Sequence, residues 1–573
     1  MWRLALLACV LAAAAYVALR REPAGRPNVL VVTIDTLRPD AVGKGRSTPA
    51  IDAFFSEATV FPRTRTVAPI TLAAHASILT GLFPSSHGIH DNVTEPLPPP
   101  ERRGFPLVAE QFRDRGYRTA AFVACAVLSP ATGLASGFDV YDCPPVYKES
   151  ETGYVPAETR IAAALEWMGK APPGKPWFVW VHLYDPHAPY RPFPGDATRP
   201  ASREGEPVES LYAGEVRRAD AAFGKLLAAA GPDTVVVLAS DHGESFREHD
   251  EVSHGPLCYG TTVDAVLAVR GPGLRRGAVD TGLRSVADVA PTLARLCGLV
   301  AHGTDGRDLA GPPHETLVAE SLYTWRAHNW GQCFSVTDGD FTLVESGPRL
   351  ELFDRRRDPG ETVPQSLAHP AYEKLDRALE AFRAQATPAH DGEVFTSVPA
   401  YGQLRRRALG YLPRHENRRL PDPRAHMRTW LALQSVPSVI QLALARRDPV
   451  PLQQALQVLT QVALDAPTSP RVPYCRAQVC AALADLTRDA SWLYRAAWAQ
   501  IDAIGKGYVE RDVVLPAITY AVAANDADAL RAIIRLLERD GRKPDAETAR
   551  ALAEASAALR LDARAPVAFS SDG

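Results

Sequence analysis

Four residues of the chain combine types and positions that could carry out a reaction. Asp35 closes the apolar run NVLVVTID (28–35), and the pair Asp241 and His242 follows a second apolar run, TVVVLAS (234–240). Two carboxylates and an imidazole form a hard-to-borderline donor set suited to Zn, Mn or Mg and less distinctive of Ca. The fourth residue, Thr71, opens TLAAHASILTG (71–81), which reads as a helix ending near Gly81. Unpaired N–H groups and the helix dipole make such an N-terminus a place to hold an oxyanion, although a threonine there is equally well read as a plain N-cap. A threonine hydroxyl is a weak nucleophile until a metal stabilises its alkoxide. Asp35, Asp241 and His242 are therefore expected to hold a cation, with Thr71 as a further ligand facing the substrate.

Elements must bring these distant segments together. Short apolar runs recur at 119–124, 177–183, 234–240 and 265–270, and helical patterns lie between them at 105–116, 158–169 and 216–231. Alternating strands and helices predict an α/β fold, a mostly parallel sheet between helices. Ligands in such folds bind beyond the carboxyl ends of the strands, where Asp35, Asp185 and Asp241 fall. The pattern divides the chain into a catalytic α/β domain at 27–300, a smaller α+β subdomain at 301–396 with strands near 333–339 and 340–346, and a Pro- and Arg-rich linker at 397–427. Residues 428–562 turn to Ala, Leu and Arg at helical spacing, as in 451–466, 489–505 and 526–541, and predict an all-α, helical-repeat-like region.

Composition removes some classes of function. The 573 residues are 46% apolar and 23% charged with a formal charge of -3, so no excess of Lys and Arg is present for sequence-independent nucleic-acid binding. Eight scattered cysteines form neither a zinc pattern nor a disulfide framework. Residues 1–21, with a basic start and an apolar stretch over 4–19, read as a signal peptide or membrane anchor. As a helix that stretch would rise about 24 Å, against a hydrocarbon core of roughly 30 Å. The expectation is export or membrane attachment by residues 4–19, in a bacterial periplasm or cell envelope.

Together, the Asp35, Thr71 and Asp241 segments resemble the sulfatase branch of the alkaline phosphatase superfamily over roughly 27–385. Where those enzymes carry paired aspartates before Leu-Arg, this chain has Asp35 and Thr36 before Leu37 and Arg38. Where they carry Cys or Ser, one residue, Pro, one residue and Arg ahead of Leu-Thr-Gly, this chain has Thr71, Ala73 and His75 ahead of Leu79, Thr80 and Gly81. YDPHAPY (184–190) supplies His187, which corresponds to a family histidine near the transferred group, and ELFDRRRDPGE (351–361) resembles the family's closing segment. The resemblance implies an alkaline phosphatase-like fold.

Threonine cannot become the formylglycine of sulfatases, so no formylglycine is expected. Asp241 with His242 replaces the usual Asp-Asn pair, which makes the set similar to one metal site of nucleotide pyrophosphatases and phosphodiesterases. Zn or Mn is favoured, with Ca or Mg as alternatives. In EHDEVSHGPLCY (248–259), His254 stands near the position of a family lysine or histidine and becomes the candidate general acid or anion contact. Asp185, His187 and His254 are candidate ligands of a second metal. His75, one helical turn from Thr71, could touch the oxyanion, hold Thr71 or simply pack. Arg326, His328 and Trp330 read as a solvated loop anchored by a tryptophan or, functionally, as a pocket rim.

The implied function is metal-dependent hydrolysis of phosphate, phosphonate or sulfate esters through a Thr71 covalent intermediate, on a small-molecule or a lipid or glycan ester. Two alternatives stand beside it: a phospho-group transferase working at the membrane, and a non-catalytic scaffold whose helical tail binds a protein partner.

Overall fold

A computed structural model describes residues 26–43, 46–92, 96–144, 155–172, 174–190, 208–300, 302–385, 411–412, 414–508, 511–539 and 544–561. The apolar stretch expected to direct export or attachment, 4–19, lies outside the described residues, as does much of the expected linker. No described helix is long and apolar enough to cross a membrane.

The main sheet has eight strands: β1 (Val29–Ile34), β2 (Thr59–Val60), β3 (Arg118–Phe122), β4 (Val140–Asp142), β5 (Trp177–Leu183), β6 (Val235–Ser240), β7 (Leu267–Arg270) and β8 (Ala278–Val279). Their spatial order is β8-β2-β7-β6-β1-β5-β3-β4. β1 runs parallel to β5 and β6, and β3 parallel to β4 and β5, whereas β7 is antiparallel to its neighbours β6 and β2. The five apolar runs of the sequence thus all become strands, and the sheet is mostly parallel as expected.

Both faces are buried, which explains why these strands read as unbroken apolar runs rather than alternating ones. Side chains still alternate between faces. Val29, Val31, Phe178, Trp180, Val235, Val237 and Ala239 point to one face and pack with α2 (Thr71–Thr80), α3 (Val108–Asp114) and α6 (Val289–Cys297). Leu30, Val32, Val179, Val181, Leu183, Val236 and Leu238 point to the other, packing with α1 (Pro49–Glu57), α4 (Ala157–Gly169) and α5 (Val208–Ala230). This parity decides which strand-end residues can meet Thr71.

A second, antiparallel sheet comprises β9 (Leu317–Ser321), β10 (Cys333–Thr337), β11 (Phe341–Ser346) and β12 (Arg349–Asp354), with α7 (Tyr323–His328) between β9 and β10. α8 (Pro370–Gln385) covers it, contributing Leu375 and Leu379 to a core with Phe334, Val336 and Leu343. Among the described residues a short helical turn, Arg414–Asn417, and then seven longer helices follow, α9 (Met427–Arg446), α10 (Val450–Asp465), α11 (Arg471–Thr487), α12 (Ser491–Gly505), α13 (Arg511–Ala523), α14 (Ala527–Arg539) and α15 (Ala546–Ala558).

The first of these helices share a core with the catalytic unit: Met427, Trp430, Leu433, Leu459 and Val479 cluster with Tyr259, Trp330, Val344 and Phe353. Polar contacts flank this joint, with Arg349 Nη2 2.7 Å from Asp422 Oδ2 and Arg424 Nη1 3.3 Å from Glu351 Oε1. Trp330 lies stacked between His328 at 4.3 Å and His426 at 4.8 Å. Because this aromatic side chain is fully enclosed, Trp330→Ala is expected to cost about 3–5 kcal/mol. Calorimetry should show the helices and the sheet domain melting in one shifted transition.

Candidate active site

Strand register places the acidic pair. Ile34 is level with Ser240 across β1 and β6, so the next residues, Asp35 and Asp241, stand side by side past the sheet edge. Both have the parity of Val31 and Val237 and so face α2. The chain turns sharply here, with Thr36 in the left-handed region at φ 55°. Thr36 N–H (3.1 Å) and His242 N–H (2.9 Å) both donate to Asp241 Oδ1, and Tyr212 OH donates to the Thr36 carbonyl at 2.8 Å. Gly243 follows where only glycine fits, since a Cβ would lie 2.2 Å from the Thr261 carbonyl oxygen.

Thr71 is the first residue of α2, after Ile70 in an extended conformation, and its side chain makes no cap. Asn92 takes that part, its Oδ1 accepting from Leu72 N–H at 3.0 Å. The plain N-cap reading of Thr71 is thereby replaced: its hydroxyl points at His242, with Oγ1 3.4 Å from Nε2. His75 donates from Nδ1 to the Thr71 carbonyl at 2.7 Å, and its Nε2 accepts from Thr33 Oγ1 at 3.0 Å. Thr33 in turn accepts from Trp180 Nε1 at 3.0 Å. With both ring nitrogens occupied, His75 holds the first turn of α2 and has none left for an oxyanion.

Hydrogen bonding fixes what His242 presents to the carboxylates. Nδ1 donates to the Gly243 carbonyl at 2.9 Å, so Nε2 carries a lone pair. That lone pair lies 3.3 Å from Asp241 Oδ2 and 3.8 Å from Asp35 Oδ1. Both oxygens of Asp35 and Oδ2 of Asp241 are buried without a hydrogen-bond partner. Burial pushes the Asp35 carboxyl up to about 7, and burial with the neighbouring Asp35 charge does the same for Asp241. Burial also holds His242 down at about 4, so the imidazole does not supply the missing positive charge. Among the described residues, the donors near these three converging acceptors are the Thr71 hydroxyl and His75 Nδ1, which lies 3.6 Å from Asp241 Oδ2 and is already committed to the Thr71 carbonyl, and such a set fits a divalent cation.

Ligand atoms of Asp35, Asp241 and His242 come within 4.8 Å of one another, and so do those of Asp35, Cys125 and His182. Tautomers separate the two trios. His182 Nδ1 accepts from Ala124 N–H at 3.3 Å, which leaves the proton on Nε2, 3.5 Å from Asp35 Oδ2. Burial keeps the Cys125 thiol well above its ordinary pKa. This second trio therefore presents protons to Asp35, in the manner of the outer groups that orient a metal-binding carboxylate.

Of the candidate second-metal ligands, Asp185 is corrected. It has the parity of Leu183 and points to the opposite face of the sheet, where Oδ2 accepts from Ala157 N–H at 2.9 Å and Oδ1 from Arg218 Nη1 at 3.1 Å. His187 and His254 do reach the site, their rings 5.0 Å apart and His254 4.3 Å from His242. They form no three-ligand group with a carboxylate among the described residues. His254 Nδ1 instead donates to Glu244 Oε1 at 3.0 Å, and His187 Nδ1 to the Ala188 carbonyl at 2.6 Å.

Of the expected rim, His328 and Trp330 pack at the joint with the helical region, and His328 Nδ1 meets Ser469 Oγ at 3.2 Å. Arg326 alone turns toward the Thr71 side, pairing with Asp91 at 2.8 Å. Asn92 stands with His90 and Asp91 in the loop after the helix, which the sequence marks as holding a candidate substrate contact; Glu244 and His182 are the site residues that sequence reasoning missed. Of these, His182 had a signal, since it alternates with Phe178 and Trp180 on the α2 face. In the absence of metal, Asp35→Asn relieves the repulsion between two buried carboxylates. A melting temperature raised by about 2–4 °C in EDTA is expected, together with loss of the stabilisation that added Zn or Mn gives the unaltered chain.

Residues 27–299 match the family model described as Sulfatase. An endo-4-O-sulfatase of Bacteroides thetaiotaomicron is 25% identical over 374 residues, covering 50% of this chain and 73% of that protein. A choline-sulfatase of Rhizobium meliloti is 23% identical over 475 residues, covering 67% and 90%. Human ectonucleotide pyrophosphatase/phosphodiesterase family member 1 is 29% identical over 237 residues, covering 39% and 24%. Among solved structures, a 2-O GAG sulfatase superposes with a TM-score of 0.51 at 20% identity, covering 63% of this chain and 92% of that one.

Proposed function

We propose, from the match of residues 27–299 to the Sulfatase model and the likeness to sulfatases, that the chain is a sulfatase-like hydrolase of the alkaline phosphatase superfamily, acting as a metal-dependent phosphate or phosphonate ester hydrolase with Thr71 as nucleophile. The observation that carries this reading is the Thr71 hydroxyl 3.4 Å from the His242 lone pair, beside two carboxylates whose inward oxygens lack a partner. Asp35, Asp241 and His242 would hold the cation, Zn or Mn by donor set, with Thr71 as the fourth ligand. Bound there, it supplies Lewis acidity that favours the alkoxide and offsets charge on the ester's oxygens.

The chain's own groups do the rest. Thr71 Oγ1 forms the bond to phosphorus as the bond to the leaving oxygen breaks, giving a phospho-threonine that water then hydrolyses. His75 and Asn92 keep Thr71 at the end of α2, so the attacking oxygen is fixed before substrate arrives. His254, oriented through Nδ1 by Glu244, is the group for proton transfer with the leaving oxygen, and His187 contacts the transferred group. Phosphorus is favoured over sulfur because a threonine stands where sulfatases need a residue convertible to an aldehyde, and because His242 stands where they carry Asn. The nucleotide pyrophosphatase/phosphodiesterase relative is consistent with that preference. Small-molecule, lipid or glycan esters are the substrate classes.

A panel of aryl phosphate monoester, phosphodiester, phosphonate monoester and sulfate should show turnover of at least one phosphorus ester. Thr71→Ala should lower kcat/KM at least ~1000-fold, the scale of losing a nucleophile, while Thr71→Ser keeps part of the rate. Undiminished turnover by Thr71→Ala would remove the nucleophile assignment.

A further inference from the structure

Arg326 is built as a fork with one prong taken. It lies on α7, and its Nη1 donates to Asp91 Oδ2 at 2.8 Å. Its side chain is 11% exposed, yet Nε and Nη2 are both buried without an acceptor. Among the described residues only Arg284 also has two such nitrogens, Nε and Nη1, which lie on different edges of the guanidinium. In Arg326 the two form one edge, the parallel pair of donors that matches two oxygens of a carboxylate, phosphate or sulfate. A buried charged donor left unpaired is costly, so this edge calls for an anion.

Hydrogen bonds tie Arg326, through Asp91, to the segment that caps the helix of Thr71. Asp91 precedes Asn92, whose Oδ1 holds the N–H of Leu72, the residue after Thr71. β9, which leads into α7, is fastened on both sides of the site: Glu320 N–H donates to the Val67 carbonyl at 2.9 Å, and Ser321 Oγ to the Gly255 carbonyl at 2.5 Å. The neighbouring carboxylate, Glu320, does not serve Arg326. Its Oε1 accepts from His90 Nδ1 at 2.6 Å and its Oε2 from Tyr411 OH at 2.5 Å.

We propose that the Nε/Nη2 edge of Arg326 binds a second anionic group of the substrate, a carboxylate or sulfonate-like two-oxygen face carried by the molecule whose ester Thr71 attacks. The inference rests on the hydrolase reading for the identity of the ligand as a substrate, and on the geometry of Arg326 for its charge. It makes Arg326 a specificity-determining residue: esters with an acidic substituent are preferred over their uncharged counterparts. Asp91 orients the fork and tempers its charge, so that the site favours an anion without holding it irreversibly.

Non-hydrolysable probes test this apart from turnover. Calorimetric titration of the full, metal-loaded chain compares benzylphosphonate with its 3- and 4-carboxy and 4-sulfo derivatives. At least one acidic probe should bind about 10–100-fold more tightly than benzylphosphonate, the range of charge-assisted hydrogen bonds. Arg326→Met should abolish that preference while leaving benzylphosphonate within about threefold. Arg326→Lys, which keeps the charge and loses the fork, should retain only part of it and supplies the answer if the Met variant does not fold. Equal binding of acidic and plain probes by the unaltered chain, or an equal loss for both in the variants, overturns the proposal. An Arg326-dependent preference without turnover of any ester would leave this site standing and remove the hydrolase reading; turnover without the preference does the reverse.

Discussion

Two carboxylates forced side by side in a dry place are the constraint around which the site is organised. Asp35 and Asp241 reach each other because β1 and β6 are parallel neighbours in register, and a parallel pair ends both strands at the same edge. Among the described residues no cationic side chain meets them: the facing imidazole is neutral, and both oxygens of Asp35 and Oδ2 of Asp241 are buried without a hydrogen-bond partner. The outlying groups sharpen this arrangement. His182 and the Thr36 and His242 amides turn their protons to the outer sides of the pair, leaving the inner side as a converging set of lone pairs. The fold itself supplies the attraction for a cation.

The same strand parity explains which parts of the site were legible in the sequence. Asp35, Asp241 and His242 stand at the ends of apolar runs, and position alone is enough to bring strand ends of a parallel sheet together. Asp185 also ends such a run and was read as a partner, but it alternates with Val181 and Leu183 and therefore faces the other helical layer. There it caps α4 and pairs with Arg218. Counting parity from Trp180 would have excluded Asp185 and drawn in His182. Glu244 carried no comparable signal, and Asn92 was legible only as one of three polar residues in the loop after α2, because their parts depend on loops meeting across the site: Glu244 on the turn that ends at His254, and Asn92 on the return of the chain to the first turn of α2. Of the fold, the continuous buried strands were readable from apolar runs. Two-residue strands such as β2 and β8 were not, since their pairing is decided by their neighbours.

Thr71 illustrates how a local preference yields to tertiary structure. A threonine at a helix start ordinarily turns its hydroxyl back on the helix's own N–H groups. Here Asn92 supplies that acceptor from a separate segment, which releases the hydroxyl to face outward. His75 strengthens the effect by tying the Thr71 carbonyl to Thr33 and Trp180 beneath it, so that the residue is held by its backbone while its side chain stays unencumbered. In the proposed role of nucleophile, a weakly reactive hydroxyl would gain most from this kind of fixed placement, because orientation is then not lost each time a substrate enters.

The substitutions relative to the sulfatase pattern depend on one another physically. If Thr71 attacks as proposed, its hydroxyl needs a strongly polarising cation, and His242 as a ligand would make the donor set one suited to Zn or Mn rather than to an all-oxygen ion. His75, in place of a family arginine, takes no charge into the pocket; burial pushes it down to about 3 and keeps it neutral. On the proposed reading, a neutral histidine there leaves the charge of the transferred group to be met by the cation. Arg326, with its unfilled Nε/Nη2 edge, comes from α7 beside the antiparallel sheet rather than from α2. If Arg326 binds as proposed, the positive charge absent from the helix has its counterpart at the group that is recognised rather than at the group that reacts.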